Sequence, residues 1–387
     1  MALLSASSVP SASCQPQSTE ERSGKLPFLS VIVPIYNGEA DIEPLLACLA
    51  AQTYPSDRVE YLLVDNNSQD KTASLLKAAI ARLNRDLPSS SIADRAESSG
   101  NPPDSFRYLL EADVQSSYAA RNRGIRAAKS SILVFTDADC RPEPQWLMEI
   151  VQPFTDPEVG IVAGEIVSAA CETFLERYSD YVEVLSQKHT LQHSHSPYGQ
   201  TANLAVRRDA FEQVGLFRPH LTTGGDADMC WRILQGGHWQ LRLVEEARVA
   251  HRHRATWKDL RSQWKRYGRS NRYLHQLHGV ALMQRPYWKE MAMTLLRWLL
   301  KRLPRSLWQV LRGRQAGVAL VCVPIGLYCN WFRYQGQIQA SLPEAATQIE
   351  WLAPGQLASG QGRGQEQRAP DPASPNVEPH QPSAAPA

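Results

Sequence analysis

Three times before residue 137, an apolar run of strand length gives way to a segment patterned as a helix, and that recurrence restricts the chain to an α/β architecture. The run "LSVIVPIY" from Leu29 predicts a buried strand, and the helix after it carries Leu45, Leu46 and Leu49 on one face, with Asp41 placed to cap it. "VEYLLVD" predicts a second strand. The following "NNSQDKTASLLKAAIARLN" supplies caps and then an apolar stripe at Leu75, Leu76, Ala79, Ile80 and Leu83. "FRYLLEAD" predicts a third strand, a helix is expected over 116–129, and "SILVFTD" is a fourth strand that runs into Asp137 and Asp139.

Two carboxylates one residue apart repel each other unless a cation, a shifted proton or open solvent relieves them. Their place matters more than their pattern, because open parallel sheets put their ligand crevice at the carboxyl ends of the strands. "PIYNGE" from Pro34 and "VDNNSQDKT" from Val64 end the first two strands on the same edge, so Tyr36, Asn37, Glu39, Asp65, Asn66 and Asn67 would line one crevice with the aspartates. Ser68 and Asp70 read as turn formers and helix caps. The chain has no G-x-G-x-x-G after its first strand and no G-x-x-x-x-G-K-[ST], which excludes a dinucleotide fingerprint and a P-loop. A divalent cation on hard oxygen ligands, magnesium or manganese, is the other way to hold a diphosphate.

Beyond this core the pattern loosens. A strand is expected near 160–167, one long helix over 171–190, and a polar surface insertion over 84–105. The expected organisation is a disordered arm (1–27), a catalytic α/β domain (28–250), a basic, aromatic-rich helical region (251–340) and a disordered tail (341–387) rich in Pro, Gln, Ala, Ser and Gly. The amino terminus lacks the basic and apolar regions of a secretory signal, and seven scattered cysteines without a C-x-x-C pair suit a reducing compartment.

From Arg252 to Arg314 there are sixteen Arg and Lys against two acids, interleaved with five tryptophans, a mixture suited to an anionic membrane surface. Nothing in the strip matches a nucleic-acid module, so no nucleic-acid partner is expected. "MAMTLLRWLLKRL" sets Leu295, Leu296, Leu299 and Leu300 against Arg297, Lys301 and Arg302, as an in-plane interfacial helix or an ordinary amphipathic one would. "AGVALVCVPIGLYCNWF" is short for a span and holds Pro324, so peripheral or monotopic attachment at the cytoplasmic side is expected, with a single shallow span as the alternative.

The ordered set "SVIVPIYNGE", "YLLVDNNSQDKT", "AARNRGI", "FTDADC" and "GGDADMCWRI" resembles the family 2 glycosyltransferases. The resemblance covers roughly 29–273. It implies a GT-A fold, the Rossmann-like architecture of nucleotide-diphospho-sugar transferases, and inverting transfer from a nucleotide sugar to a glycan or lipid-linked acceptor. By the same resemblance Pro34, Tyr36, Asn37, Glu39, Asp65, Asn66 and Asn122 belong to the nucleotide-sugar site, and Asp137 and Asp139 clamp the metal and diphosphate. His251, with His253 as rival, is the third metal ligand. Inversion needs a base for the acceptor hydroxyl. The segment from Gly224 resembles the family's Glu-Asp motif with Gly225 in the Glu position, which leaves Asp226 as the base, or as a mere helix cap, and Asp228 as its competitor. "QWKRY" resembles the acceptor-site Q-x-x-R-W motif, placing Gln263 and Arg266 on one helical face. Exopolysaccharide or cell-envelope glycan synthesis is what the family suggests. A nucleotidyltransferase of related fold, or a degenerate membrane scaffold in polysaccharide assembly, stands as the alternative.

Overall fold

The computed structural model describes residues 26–86, 105–313 and 317–352. The expected N-terminal arm, the centre of the 84–105 insertion and most of the expected tail lie outside them.

Four strands, β1 (Leu29–Ile35), β2 (Val59–Asp65), β3 (Phe106–Leu110) and β4 (Ile132–Thr136), form the parallel half of one eight-stranded sheet. β1 and β2 are buried along their whole length, as strands covered on both faces must be, and for that reason they read as continuous apolar runs. Alternation still decides which layer each side chain joins. Val31, Val33 and Ile35 pack with α1 (Ile42–Ala50) and α2 (Thr72–Asp86), whereas Ile32 points to the other face, into α3 (Ser117–Ala127). Asp41 stands at the cap position of α1 without capping it. Its carboxylate is taken by Arg141 at 2.5 Å.

The second half of the sheet is mixed. β5 (Cys140–Pro142), β6 (Val159–Ser168), β7 (Asn203–Arg207) and β8 (Gln240–His251) complete the strand order β3-β2-β1-β4-β7-β6-β8-β5. β7 runs antiparallel to β4 and β6, β6 parallel to β8, and β5 antiparallel to β8. The helices along this half are α4 (Trp146–Ile150), α5 (Phe174–Tyr181), α6 (Gln187–Leu191), α7 (Arg208–Val214) and α8 (Gly225–Gly236). The single helix expected over 171–190 is in fact α5 and α6. Thr173 and Glu176 close a capping box at the start of α5, and the chain breaks after it where Glu183 takes a left-handed φ of 50°.

Four more helices follow: α9 (Trp257–His278), α10 (Trp288–Arg297), α11 (Leu303–Leu311) and α12 (Cys322–Gln339). α9 and α12 cross with their backbones in contact. A Cβ on Gly268 would meet the Arg333 carbonyl oxygen, and one on Gly336 would meet that of Lys265, so two glycines set this crossing. Val318, Ile325 and Cys329 pack with Leu175, Tyr178 and Leu260, which fastens one face of the apolar stretch near Pro324 to the rest of the protein. Among the described residues, no helix is long and apolar enough to cross a membrane. Residues 341–352 differ from the expected disorder. Ala346 is fully buried, Leu342 and Leu352 pack on the core under α3, and Glu350 pairs with Arg126 at 2.5 Å. A few apolar side chains and one ion pair dock a segment whose composition alone reads as unstructured.

Candidate active site

The turn between β4 and β5 carries the aspartate pair, closed by the Cys140 N–H donating to the Asp137 carbonyl at 3.1 Å. The two side chains separate. Asp137 accepts from Arg121 of α3 at 2.5 Å, and that arginine is almost wholly buried. Asp139 lies beside His251 because the β5–β8 register sets Cys140 opposite His251. The distance from His251 Nε2 to Asp139 Oδ1 is 3.3 Å, and Arg254 stands 3.9 Å from the other oxygen. The mutual repulsion expected from the sequence is thus eased by an arginine near each carboxylate, Arg121 in direct contact with Asp137 and Arg254 at longer range from Asp139.

The His251 contact bears on metal binding. Its Nδ1 sits 2.8 Å from the Arg252 carbonyl, which can only accept, so the ring proton belongs on Nδ1. With that tautomer the Nε2 lone pair would face a carboxylate, and two electron-pair donors so placed fit a cation between them. Cys140 completes a three-residue cluster whose ligand atoms lie within 4.8 Å of one another. It is a poor third ligand, because its side chain belongs to the core and burial pushes its thiol well above the ordinary range. The oxygen and nitrogen donors of Asp139 and His251 fit magnesium or manganese. Asp137, expected as a co-ligand, is outside this cluster and faces Arg121. His253, the rival of His251, is buried with Nε2 2.7 Å from the Ser168 hydroxyl.

Asp226 approaches from the opposite wall. Gly224 takes a φ of 80° ahead of α8, which delivers Asp226 into the first turn without its capping the helix. Its carboxylate instead accepts from the Thr201 hydroxyl at 3.0 Å and the Thr201 N–H at 3.4 Å. Burial pushes its pKa up; Arg121 pulls it down, Asp137 pushes it up, and the Thr201 hydrogen bonds pull it down again. Asp137, Asp226, His251, Arg121 and Arg266 all border one cleft of about 210 Å³. Gly225, in place of the family's Glu, has a physical reason here. A Cβ there would lie 2.6 Å from the Tyr118 ring, and the Gly225 N–H donates to the Tyr118 hydroxyl at 2.9 Å.

Several expected site residues stand elsewhere. Asp228, the competitor of Asp226, is fully buried and ion-paired with Arg218 and Arg232 at 3.0 Å each and His278 at 2.9 Å. Burial alone would raise its pKa, but the His278 hydrogen bond and the two guanidiniums outweigh it and hold the carboxyl at about 2. It does not border the cleft. Asn122 is also fully buried, its amide spent on the Phe217 backbone and Glu350, so the residue of this segment that reaches the cleft is its neighbour Arg121. Asn66 donates to the carbonyls of Glu111 and Val114 and so fixes the loop after β3. Pro34 is buried within β1, beyond the end of its ladder to β4 at Ile32.

Tyr36, Asn37, Glu39 and Asp65 do gather at the carboxyl edge of β1 and β2, where Ile35 pairs with Asp65. Tyr36 is half exposed; Asn37 and Asn67 take left-handed φ angles of 48° and 58°, which asparagine tolerates. Asp65 is buried and accepts from the Ser68 N–H and the Tyr108 hydroxyl, and Glu39 accepts from the Lys71 N–H. On α9, Gln263 donates to the Tyr267 hydroxyl at 3.0 Å, and Gln263 and Arg266 border a shallow recess beside the cleft. Arg121, Thr201 and Tyr118 are among the cleft residues that sequence reasoning passed over. The one available signal for Arg121 was its place in "AARNRGI", one of the segments that carry the resemblance.

Known proteins share sequence and fold with this chain. The profile of glycosyl transferase family 2 matches residues 30–215, and that of glycosyl transferase family group 2 matches residues 132–332. Glycosyltransferase AglE of Haloferax volcanii is 35% identical over 215 residues, 55% of this chain and 63% of that protein. Pre-mycofactocin glycosyltransferase of Mycobacterium tuberculosis is 34% identical over 157 residues, 39% of this chain and 33% of that protein. The matched stretch thus spans less than two thirds of either relative's length. In fold, the chain is similar to a mannosyltransferase of Pyrobaculum calidifontis solved with GDP-mannose and manganese, with a TM-score of 0.50 at 20% identity over 84% of this chain and 87% of that one. With one profile covering more than half of its length and a second overlapping it from the amino-terminal side, the chain belongs to the family 2 glycosyltransferases and carries their GT-A fold.

Proposed function

We propose that the protein transfers a sugar, with inversion, from a nucleoside-diphosphate donor to a hydroxyl acceptor. The observation that carries this reading is the single cleft in which Asp226, with its pKa raised by burial, faces the turn that holds Asp137 and Asp139. Asp226 takes the proton of the acceptor hydroxyl as that oxygen bonds to the anomeric carbon, and the bond from that carbon to the donor phosphate breaks on the opposite face. The nucleoside diphosphate leaves with the electron pair. Arg121 supplies positive charge beside the departing phosphates, and Thr201 orients the base. Asp139 and His251 would hold a manganese or magnesium ion, which when bound neutralises charge on the leaving diphosphate. Tyr36, Asn37, Glu39 and Asp65 shape the edge on which the nucleotide rests.

The helical region supports attachment to a membrane. Trp288, Leu295, Leu296, Leu299, Leu300, Trp308 and Leu311 are exposed on α10, α11 and the π-helical turn between them, next to Lys289, Arg297, Lys301 and Arg302. Apolar side chains ringed by basic ones suit peripheral binding to anionic lipid. The scattered, unpaired cysteines among the described residues favour the cytoplasmic side. Flotation with anionic vesicles should carry the protein, and Leu299→Glu with Leu300→Glu should release it.

A thermal-shift screen of nucleotide sugars, with and without manganese, tests the catalytic reading. One donor should raise the melting temperature, and Asp139→Asn should remove the manganese-dependent part of that rise. Product analysis should then show a nucleoside diphosphate. Release of pyrophosphate instead would mark a nucleotidyltransferase.

A further inference from the structure

A second cavity, of about 510 Å³, opens beside the catalytic cleft and shares Tyr198, Gln200, Tyr267 and Ser270 with it. It lies among α5, α6, α9 and α12, behind the crossing that Gly268 and Gly336 set. Its walls are largely apolar or aromatic, Trp264 and Leu274 from α9 and Tyr178 and Val182 from the α5 side. Arg333 of α12 enters it as the one guanidinium among the described lining residues, and no aspartate or glutamate among them lines the space. One guanidinium nitrogen donates to Asn271 at 3.0 Å, while the buried Nε has no partner among the described residues. Two histidines, His189 and His193, also face the cavity, and burial, with His195 and Arg333 nearby, holds His193 toward its neutral form, while burial keeps the lining Tyr178, Tyr198, Tyr267 and Cys329 protonated.

A desolvated guanidinium without a counter-ion is costly, and a ligand carrying the missing charge relieves it. Arginine recognises planar or tetrahedral oxyanions through its fork of donors. We propose that this cavity is an acceptor subsite, which seats the apolar body of an acceptor and pairs its phosphate or carboxylate with Arg333 while its hydroxyl reaches Asp226 through the shared wall. The inference rests on the catalytic reading above for the direction in which the hydroxyl points. The anion site itself does not depend on it. Arg333 lies just past the end of the second matched family segment.

Titration calorimetry with three probes tests the subsite: hexyl phosphate, inorganic phosphate and hexanol. Hexyl phosphate should bind the wild-type protein, and Arg333→Gln should weaken it about tenfold to a hundredfold, the worth of a charge-assisted hydrogen bond. Arg333→Lys, which keeps the charge and loses the fork, should fall between. Gly326→Leu gives a second variant, since a Cβ at Gly326 meets only the Tyr178 hydroxyl at 3.8 Å, and the larger side chain should fold and block the probe. Inorganic phosphate binding as tightly as hexyl phosphate supports the subsite and identifies a small soluble acceptor. A clear gain from the alkyl stem supports it and identifies an amphiphile such as a lipid phosphate. Equal binding of hexanol, or unchanged affinity in both Arg333→Gln and Gly326→Leu, overturns the subsite. A nucleotide sugar that still stabilises the protein in that case leaves the catalytic reading standing; subsite binding without any donor binding does the reverse.

Discussion

Asp226 and Asp228 stand two residues apart in the first turn of α8, and the regions on either side of that turn treat a carboxylate in opposite ways. On the cleft side Asp226 loses water and gains two hydrogen bonds from Thr201, with Asp137 across the cleft adding repulsion, so its pKa rises. On the interior side Asp228 is buried more completely, yet two arginines and a histidine surround it and its pKa falls to about 2. Burial alone therefore does not decide the protonation of an acid; the number of cations that accompany it does. The cleft side holds a carboxylate at a cost in stability, as the proposed base requires, whereas the interior side uses a buried acid to fasten α8 to the chain before it.

The largest effect expected from this contrast is on turnover. Asp226→Asn should lower the rate of sugar transfer by about 10²- to 10⁴-fold, the usual worth of a positioned base. The same substitution should leave stability at neutral pH unchanged or raised. A carboxyl whose folded pKa is raised favours folding only at low pH, and that contribution is lost as pH rises through the folded value. An Asn at this position removes that cost. A variant that kept its activity would hand the role of base to another group, and one that melted much earlier would make Asp226 a structural residue.

Asp228→Asn should do the opposite. Removing one partner of a buried ion cluster costs about 3–5 kcal/mol, because Arg218 and Arg232 are left buried without a counter-charge. Denaturant unfolding reads this directly. The pH dependence has a definite sign: a folded pKa near 2 against an ordinary value of 3.8 means that the Asp228 contribution is complete above about 4 and is lost as pH falls toward 2. The Asn variant should lose that segment of the acid-unfolding curve, and an unchanged curve would show that the cluster contributes little.

The same contrast explains how much of the site was legible in the chain. β1 to β4 and their helices could be read because parallel strands buried on both faces leave unbroken apolar runs, and because strand ends in a βα repeat share one edge. Asp137 and Asp139 were placed just past the end of β4 that way. The fates of Asp226 and Asp228 could not be, since both precede the same helix pattern and only the fold brings Thr201 to one and Arg218 and His278 to the other. Arg121 was missed because its partner lies 16 residues on, across a strand. His251 was reached only by resemblance, and its place beside Asp139 depends on the β5–β8 register, a pairing of segments 111 positions apart that no local pattern encodes. Asn122 was misread because polar residues on a helix facing a crevice and on one facing a buried backbone look the same in sequence.

The smallest expected effect isolates the hydrogen bond on which the cleft side turns. Thr201→Val keeps the shape of the side chain and removes the hydroxyl that donates to Asp226 at 3.0 Å, leaving only the longer N–H contact at 3.4 Å. Losing a donor to the charged form raises the pKa of a carboxylate further. The acid limb of the profile of kcat/KM against pH should therefore move to higher pH, with a loss of about tenfold or less at neutral pH, in keeping with about 1 kcal/mol for one hydrogen bond. Above the shifted limb the variant should recover most of the wild-type rate, because Asp226 is then ionised in both proteins. A limb that stays where it was would mean that another group governs the profile, and Asp226 would then share with Asp228 a structural role instead of standing opposed to it.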